Sequence, residues 1–330
     1  MVTTEQRSAD LLAARRLRPR QIVAGVDGGG TKTHAILMDQ DENVLGEGDA
    51  GPSNPLRVGI AAAAGAIREA LDRACTAARV RRSEIAAIEI GLAGARRKEL
   101  SARMEDALRN LGIGEMEVVS DADIALFGAT DGEPGVVVIA GTGSVSCGVN
   151  ALHRRMRAGG WGPMAGDEGG GSWIARRALR AIAYAADGRG PETSLTPAAC
   201  SYFHVSTADD LSTAIYAPTI TNERVAGFAR LVIEAAKAGD RVAREIITEA
   251  GRELGIAAAA VIRNLKMEQE RFQVAYVGGV FAAGELVLEA LRNEVQRIAP
   301  KAYLEPPRFA PAIGAARMAR DHINHVALAV

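Results

Sequence analysis

The stretch GVDGGGTKTHAILMDQDENVLGEG, residues 25–48, places a glycine-rich segment between two apolar runs. Residues 22–26 precede the glycines, residues 33–38 follow them, and the polar turn QDEN leads into VLGEG. Apolar runs joined by glycines or polar turn residues are typical of antiparallel strands. The stretch therefore predicts three consecutive strands, with the glycines connecting the first strand to the second.

The glycine spacing fits neither of the two common nucleotide-binding motifs. A P-loop requires lysine where Thr31 stands, and the dinucleotide fingerprint requires a third glycine where Thr33 stands. Both motifs also continue into a helix, whereas this segment continues into a strand. A strand-to-strand turn can still bind phosphate through backbone N–H groups, with the hydroxyls of Thr31 and Thr33 and the charge of Lys32. A tight hairpin turn without a ligand is the alternative.

Two further features favour the phosphate-binding interpretation. Asp27, just before the glycines, would repel phosphate directly, but it could hold Mg²⁺ through water; capping the hairpin turn is the alternative role. The segment AGTGS, residues 140–144, repeats the device of small residues and hydroxyls between two strands. Two such turns could clamp opposite sides of one polyphosphate.

An acidic pair in SDADIALFGA lies at the predicted start of a helix. Ser120 and Asp123 have the spacing of a capping box, in which each side chain satisfies free N–H groups of the first turn. That arrangement leaves Asp121 able to accept a proton from a substrate hydroxyl. The alternative is that Asp121 is only a favourable acid in a first helical turn.

The segment AGGWGPMAGDEGGGSWIARRAL, residues 158–179, brackets an indole and two carboxylates with glycines. Carboxylates accept hydrogen bonds from hydroxyls, and an indole packs against an apolar sugar face, so Trp161, Asp167 and Glu168 indicate a polyol site. The alternative is an irregular loop, with Trp161 and Trp173 as ordinary core residues. Ser53 and Asn54 in GPSNPL could bind a ligand or simply begin the next helix.

Helical periodicity follows the second turn over residues 172–186, 223–238 and 241–264, and returns over residues 285–298 and at the C-terminal end. The strand FQVAYVG lies between these helices and ends at Gly278 and Gly279. Strands alternating with helices predict an α/β fold with mixed sheets. Because the strand–glycine–strand device occurs twice, we expect two similar lobes.

The composition excludes several classes of binding partner and metal site. A net charge of −1 excludes the strong positive field of a dedicated nucleic-acid or acidic-membrane binder, and no apolar run reaches a membrane span, so a cytoplasmic protein with small-molecule partners is expected. The arginine-rich residues 1–20 are interpreted as a flexible arm. Three scattered cysteines exclude zinc and iron–sulphur motifs. His322 and His325 are interpreted as a surface helix end without metal-binding partners.

The ordered motifs DGGGTKT, SDADIA, AGTGS, GGWGPMAGDEGGGSWIA, VAYVGGVF and PAIGAARMA resemble the N-acetylglucosamine kinase branch of the BadF/BadG/BcrA/BcrD-type ATPase family. The resemblance runs from about residue 21 to the C-terminal helix and implies two ribonuclease-H-like, actin-like lobes with ATP in an interlobe cleft. It implies lobes at residues 21–131, completed by a helix at 312–330, and at residues 132–311. It also implies a homodimer.

The resemblance assigns roles to matching residues. Asp121 matches the catalytic aspartate and Asp27 lies near Mg²⁺. The residues implied to bind ATP are Gly28, Gly29, Gly30, Thr31, Lys32, Thr33, Gly141, Thr142, Gly143, Ser144, Ala226, Gly278 and Gly279. The residues implied to bind the amino sugar are Ser53, Asn54, Asp121, Trp161, Gly162, Asp167 and Glu168.

The implied activity is ATP-dependent phosphorylation of N-acetylglucosamine at its C6 hydroxyl. Kinases of glucosamine or N-acetylmuramic acid are alternatives, because these sugars present similar hydroxyls. A regulatory ATPase would keep the phosphate turns without needing GGWG and GDEG, and a sugar-responsive binding module would bind without turnover. The paired-cysteine zinc signature of ROK sugar kinases and the motif cysteines of the iron–sulphur branch are both absent from the sequence.

Overall fold

The first three strands form the antiparallel arrangement that the sequence predicts. In the computed structural model, β1 (Ile22–Gly28) pairs with β2 (Thr33–Met38), and β2 pairs with β3 (Val44–Ala50). The polar turn between β2 and β3 closes around Asp39, whose carboxylate accepts the N–H groups of Asp41 and Asn43 at 3.0 Å each. Local turn chemistry therefore fixes the register of this hairpin.

The structure describes residues 21–328, with side chains described for residues 21–323. The predicted basic arm, residues 1–20, lies outside the described residues. The described chain forms two compact units. Unit 1 comprises the described residues up to Gly128 and those from Phe309 onward, and unit 2 comprises Ala129–Arg308.

Unit 1 contains a five-stranded mixed sheet of order β3-β2-β1-β4-β5, in which β1, β4 and β5 are parallel. Beyond β1 to β3, its elements are α1 (Pro55–Val58), α2 (Ile60–Ala78), β4 (Ile85–Leu92), α3 (Lys98–Leu108), β5 (Glu115–Ser120), α4 (Asp121–Thr130) and α12 (Pro311–Leu328). Single 3-10 turns lie at Arg82–Glu84 and Arg109–Leu111.

Helices cover both faces of the unit 1 sheet. The alanine-rich α2 buries Ile67 and Leu71 against the side chains of one face. The C-terminal helix α12 packs on the other face through alanines at positions 312, 316 and 319, which contact Val23 and Ile36. Small side chains on α12 let its backbone approach β1 closely. The last helix of the chain therefore belongs to the unit that the first strand begins.

Unit 2 contains a second five-stranded mixed sheet, of order β10-β9-β6-β7-β8. Its strands are β6 (Gly135–Ala140), β7 (Ser144–Val149), β8 (Arg155–Gly159), β9 (Gln273–Val277) and β10 (Tyr303–Glu305). Its helices are α5 (Gly171–Ala186), α6 (Leu195–Phe203), α7 (Ala208–Ala214), α8 (Asn222–Gly227), α9 (Ala229–Lys237), α10 (Arg241–Leu265) and α11 (Glu285–Ile298). A 3-10 turn lies at Gly279–Ala283.

The two sheets repeat one plan, because each begins with an antiparallel hairpin whose first strand also has a parallel neighbour. This confirms the predicted α/β class with two similar mixed sheets. One predicted helix is wrong in detail: residues 223–238 form two helices, α8 and α9, that are separated at the fully buried Phe228. Within the described part of the chain, no helix is both long and apolar enough to cross a bilayer.

Candidate active site

The glycine-rich turn of unit 1 is a hairpin connection. Gly28 and Thr33 form the last pair of the β1–β2 ladder, and the N–H of Gly29 donates to the carbonyl of Lys32 at 2.9 Å. Residues 29–32 thus make a short turn that leads into a strand, with Thr31 and Lys32 exposed. The predicted absence of a following helix, which excludes the P-loop and dinucleotide motifs, is confirmed.

The buried hydroxyls of Thr33 and Ser53 lie against this turn. The hydroxyl of Thr33 lies 2.7 Å from the carbonyl oxygen of Gly51 and 2.8 Å from Oγ of Ser53, so it can donate to one and accept from the other. The N–H of Ser53 donates to the carbonyl of Gly29 at 3.0 Å. A Cβ at Gly28 would lie 2.5 Å from Oγ of Ser53. Ser53, a predicted sugar-binding residue, is fully buried against the turn.

Asn54 begins helix α1. Its Oδ1 accepts the N–H of Leu56 at 3.0 Å, which is the geometry of an N-cap. Of the two roles that the sequence allowed for Asn54, helix initiation is therefore observed. The same Oδ1 would lie 2.7 Å from a Cβ at Gly94, so the loop after β4 passes close to this side chain.

Asp121 stands at the start of α4 with one oxygen engaged. Its Oδ1 accepts the N–H of the next residue, Ala122, at 2.9 Å. Ser120 and Asp123 form the predicted capping box: Oγ of Ser120 donates to Oδ2 of Asp123 at 2.6 Å, and the N–H of Asp123 donates back to Oγ of Ser120 at 3.3 Å. The capping prediction is confirmed, and the cap does not use the Asp121 carboxylate.

Both central aspartates of unit 1 are harder to ionise than ordinary aspartates. Burial is the largest cause of the raised pKa of Asp121. The N–H bond from Ala122 opposes this rise in pKa, and the charges of Asp27 and Asp123 add to it. Burial also raises the pKa of Asp27, at the end of β1, against the opposing charges of His34 and Lys32. Asp27 and Asp121 are thus close enough for their charges to interact.

In unit 2, the AGTGS turn is fastened to the first turn of α5. The N–H of Gly141 donates to the carbonyl of Gly143 at 2.9 Å, which closes the turn. The carbonyl of Gly141 accepts the N–H of Gly171 at 2.8 Å, and the carbonyl of Thr142 accepts the N–H of Ser172 at 2.9 Å. The turn therefore satisfies N–H groups that the start of a helix would otherwise leave unpaired.

Asp167 joins the GDEG segment to the same turn. Its Oδ1 accepts the N–H of Gly162 at 3.2 Å, and its carboxylate also accepts the N–H of Ser144. Burial raises the pKa of Asp167, and these two N–H bonds oppose that rise. A Cβ at Gly143 would lie 2.2 Å from Oδ2 of Asp167, so this approach requires glycine. The structure thus shows a scaffolding role for Asp167 that the sequence did not reveal.

Trp161 and Glu168 are exposed, in contrast to the buried Asp167. The Trp161 side chain is 72% exposed, so it is not the core residue that the alternative interpretation required, whereas Trp173 packs partly buried against the unit 2 core. Both exposed residues flank Gly166: a Cβ there would lie 3.0 Å from Cβ of Trp161 and 3.6 Å from Oε2 of Glu168. An indole and a carboxylate thus lie on the same part of the surface of unit 2.

The remaining candidate ATP-binding residues of unit 2 gather around the AGTGS turn. Gly278 has a φ of +122°, and a Cβ there would lie 2.3 Å from the carbonyl oxygen of Ala140. A Cβ at Gly171 would lie 3.2 Å from the carbonyl oxygen of Ala226. By contrast, a Cβ at Gly141 or Gly279 would meet no atom within 4 Å. Two glycines of this group therefore face open space.

The sequence did not predict the contacts between the AGTGS turn and the GDEG segment. Oγ of Ser144 donates to the carbonyl of Glu168 at 2.7 Å, in addition to the contacts of Asp167 and Gly143. The one signal in the sequence is that the AGTGS turn and the GDEG segment are both rich in glycine. No local pattern shows that the two segments contact each other.

Most of the chain matches a known protein family. The profile of the BadF/BadG/BcrA/BcrD ATPase family matches residues 24–319. An N-acetylmuramic acid/N-acetylglucosamine kinase from Clostridium acetobutylicum is 34% identical over 303 residues, covering 92% of this chain and 99% of the relative. An N-acetyl-D-glucosamine kinase from Dictyostelium discoideum is 30% identical over 313 residues, covering 91% and 98%.

A solved structure shares the fold. The crystal structure of a Chromobacterium violaceum protein, provisionally named N-acetylglucosamine kinase, aligns with a TM-score of 0.74 at 29% identity. The alignment covers 90% of this chain and 98% of that one.

Proposed function

The chain belongs to the BadF/BadG/BcrA/BcrD ATPase family, and on that premise we propose that it phosphorylates an amino sugar with ATP. The acceptor is N-acetylglucosamine, at its C6 hydroxyl, and the product is the 6-phosphate. The observation that carries the proposal is the Asp121 carboxylate, which stands at a helix start near Asp27, outside the capping box, with a raised pKa. The relatives from Clostridium acetobutylicum and Dictyostelium discoideum, both named as amino sugar kinases, support the choice of substrate.

In this proposal, Asp121 orients the C6 hydroxyl and accepts its proton as the γ-phosphoryl group is transferred. A raised pKa suits that role, because a base must hold the proton that it receives. General-base help of this kind contributes about 10²–10⁴ in rate. Positioning and charge neutralisation supply most of the remaining acceleration of phosphoryl transfer.

Asp27 fits a magnesium ion held through water. It offers carboxylate oxygens, the ligand type that Mg²⁺ prefers, at the foot of the glycine-rich turn. A cation would favour the ionised form that burial disfavours. The ion, when bound, would neutralise charge on the phosphates.

The phosphates are assigned to the turns at residues 28–33 and 141–144, whose glycines let backbone N–H groups approach an anion. Gly278, Gly279 and Ala226 are assigned to the adenosine side, since they adjoin the second turn. Trp161, Gly162 and Glu168 are assigned to the sugar together with Asn54. Ser53 and Asp167 are also assigned to the sugar, each by holding backbone of its own unit.

The test is ADP release measured with a coupled assay over N-acetylglucosamine, glucosamine, N-acetylmuramic acid and glucose, with the product identified by mass spectrometry. Sugar-dependent ADP release, fastest with N-acetylglucosamine, is expected. Release of ADP at a comparable rate without any sugar would instead favour a regulatory ATPase. Faster release with N-acetylmuramic acid or glucosamine would support the kinase activity but assign it a different acceptor sugar.

Replacing Gly141 by alanine is expected to raise KM for ATP by about 10- to 100-fold. This change corresponds to the loss of one charge-assisted hydrogen bond to phosphate, which contributes about 1.5–3 kcal/mol. The added methyl group meets no protein atom within 4 Å, so the fold is unaffected, but it occupies the face from which a phosphate would reach the turn. KM for ATP and the thermal midpoint are measured on the same preparation.

Gly65→Ala is the matched control, because a Cβ at this exposed position in α2 also meets no atom within 4 Å. It should leave KM for ATP unchanged. An unchanged KM in Gly141→Ala, with a folded protein, would contradict the assignment of the second turn to phosphate.

A further inference from the structure

Two glutamates and a histidine converge on the outer part of the unit 1 sheet. Glu89 of β4 and Glu117 of β5 are direct partners in the parallel register, so their side chains rise from the same face of adjacent strands. His322 of α12 meets both: its Nδ1 lies 3.4 Å from Oε2 of Glu89 and 3.4 Å from Oε2 of Glu117. The sequence interpretation of His322 as a helix end without such neighbours is therefore wrong.

This cluster places two carboxylates beside one imidazole. Glu89 is fully buried, whereas Glu117 and His322 are about half exposed. Two carboxylates directly opposite each other on a sheet destabilise it, and burial of one increases the cost. A divalent cation bound by both carboxylates would offset their mutual repulsion.

The separations fit a shared metal better than a set of hydrogen bonds. One ligand atom from each of Glu89, Glu117 and His322 can be chosen so that all three lie within 4.8 Å of one another. Around a tetrahedral zinc ion with ligands at about 2.0–2.1 Å, neighbouring ligand atoms are about 3.3–3.4 Å apart. The two 3.4 Å separations from Nδ1 match that spacing, whereas they are long for charge-assisted hydrogen bonds.

His34 provides an internal contrast. It also has two carboxylates nearby, but Asp49 lies 2.9 Å from Nδ1 and Glu47 lies 3.5 Å from Nε2. Opposite ring nitrogens thus face different acids, and no single ion can be bound by all three groups through them. At His322 both carboxylates face the same nitrogen.

We propose that Glu89, Glu117 and His322 bind one divalent transition-metal ion of the zinc class, with solvent completing its coordination. Imidazole with carboxylates suits Zn²⁺, Co²⁺ or Mn²⁺ and disfavours Mg²⁺, which prefers oxygen ligands alone. The ion links α12 to β4 and β5, just beyond the alanines that dock the helix on the sheet. It is a stabilising site of unit 1, and it does not depend on the proposed kinase activity.

The test is titration of the full-length protein with CoCl₂ and ZnCl₂ in the absence of ATP and Mg²⁺, after treatment with a chelator and desalting. One equivalent of Co²⁺ should produce visible absorption bands, and Zn²⁺ should displace it and raise Tm. His322→Gln and Glu117→Gln are each expected to weaken Co²⁺ binding at least tenfold and to abolish the rise in Tm. Both substitutions lie at partly exposed side chains, so folding is retained.

His34→Gln and His325→Gln are the controls, and both should bind one equivalent of Co²⁺ as the unchanged protein does. The proposal is overturned if the unchanged protein binds no more Co²⁺ than the His322→Gln, Glu117→Gln double variant. Loss of binding in His325→Gln or His34→Gln, with His322→Gln unaffected, would also overturn it.

Discussion

Replacing Asp121 by asparagine is expected to lower kcat by about 10²–10⁴, while KM for ATP and for the sugar changes little. Asparagine has the same shape, and its carbonyl oxygen can still accept the N–H of Ala122 that Oδ1 accepts now, at 2.9 Å. It cannot take up the proton of the sugar hydroxyl. The measurement is kcat from sugar-dependent ADP release, with circular dichroism to establish that the variant is folded.

Asp123→Asn is the matched control for this substitution. Asp123 lies two residues along the same helix and serves the capping box through Oδ2. Weakening this cap should cost about 1 kcal/mol of stability and leave kcat within a few-fold of the original value. Near-normal turnover by Asp121→Asn would remove Asp121 from the role of general base.

The same residue sets an expected pH dependence. Because burial raises the pKa of Asp121, its ionised form should disappear at a higher pH than that of an ordinary aspartate as the solution is acidified. The rate should therefore fall on the acid side through that raised pKa, and Asp121→Asn should lack this acid limb. A rate profile of identical shape in both proteins would contradict the assignment.

The ionised form of Asp121 that the reaction needs is expected to lower the stability of the folded protein. A folded-state pKa above the unfolded value means that the group contributes stability at low pH, and that this contribution is lost as the pH rises through the folded pKa. At neutral pH the buried charge of Asp121 is thus a cost, so Asp121→Asn should unfold at a higher denaturant concentration than the original protein. Loss of rate with gain of stability would separate function from folding.

The sequence predicted both glycine-rich hairpin turns well, since their signals are local. Glycines, hydroxyls and flanking apolar runs identify the hairpins at residues 28–33 and 140–144, and the hairpins are observed. The capping box at Ser120 and Asp123 is equally local, because three residues of spacing suffice to define it.

Contacts between distant segments could not be predicted in the same way. The contact of Asp167 with Gly143 and Ser144 depends on how α5 begins beside β6 and β7. The cluster at His322 depends on the register of β4 against β5, which places Glu89 opposite Glu117. Neither arrangement has a sequence period or a local propensity that would reveal it.

Short or polar elements were also beyond the sequence patterns. Strand β8 contains two arginines in five residues, and β10 has only three residues, so neither has the apolar run that identifies the other strands. Both are edge strands, and backbone pairing with a neighbour defines them. The break between α8 and α9 similarly depends on tertiary packing around the buried Phe228.

Replacing Gly25 by alanine is expected to destabilise unit 1 by about 3–5 kcal/mol, at the upper end for overpacking of a core. A Cβ there would lie 2.1 Å from the carbonyl oxygen of Ala312 and 2.4 Å from the backbone nitrogen of Ala316. Both are helix backbone atoms, which cannot rotate aside as a side chain can. Helix α12 would have to move off the central strand β1, and the buried contacts of its alanines would be lost. Equilibrium unfolding in guanidinium chloride measures the loss.

Gly65→Ala again provides the comparison, because it adds the same methyl group inside α2 where no atom lies within 4 Å. Alanine is the better helix former by about 0.8–1 kcal/mol, so this variant should be slightly more stable than the original protein. The same Gly→Ala change would then lower the free energy of unfolding at position 25 and raise it at position 65. That difference would show that the close approach of α12 to β1, and not the loss of a flexible residue, determines the effect at Gly25. A stability of Gly25→Ala within about 0.5 kcal/mol of the original, the range typical of surface substitutions, would contradict the tight docking of α12.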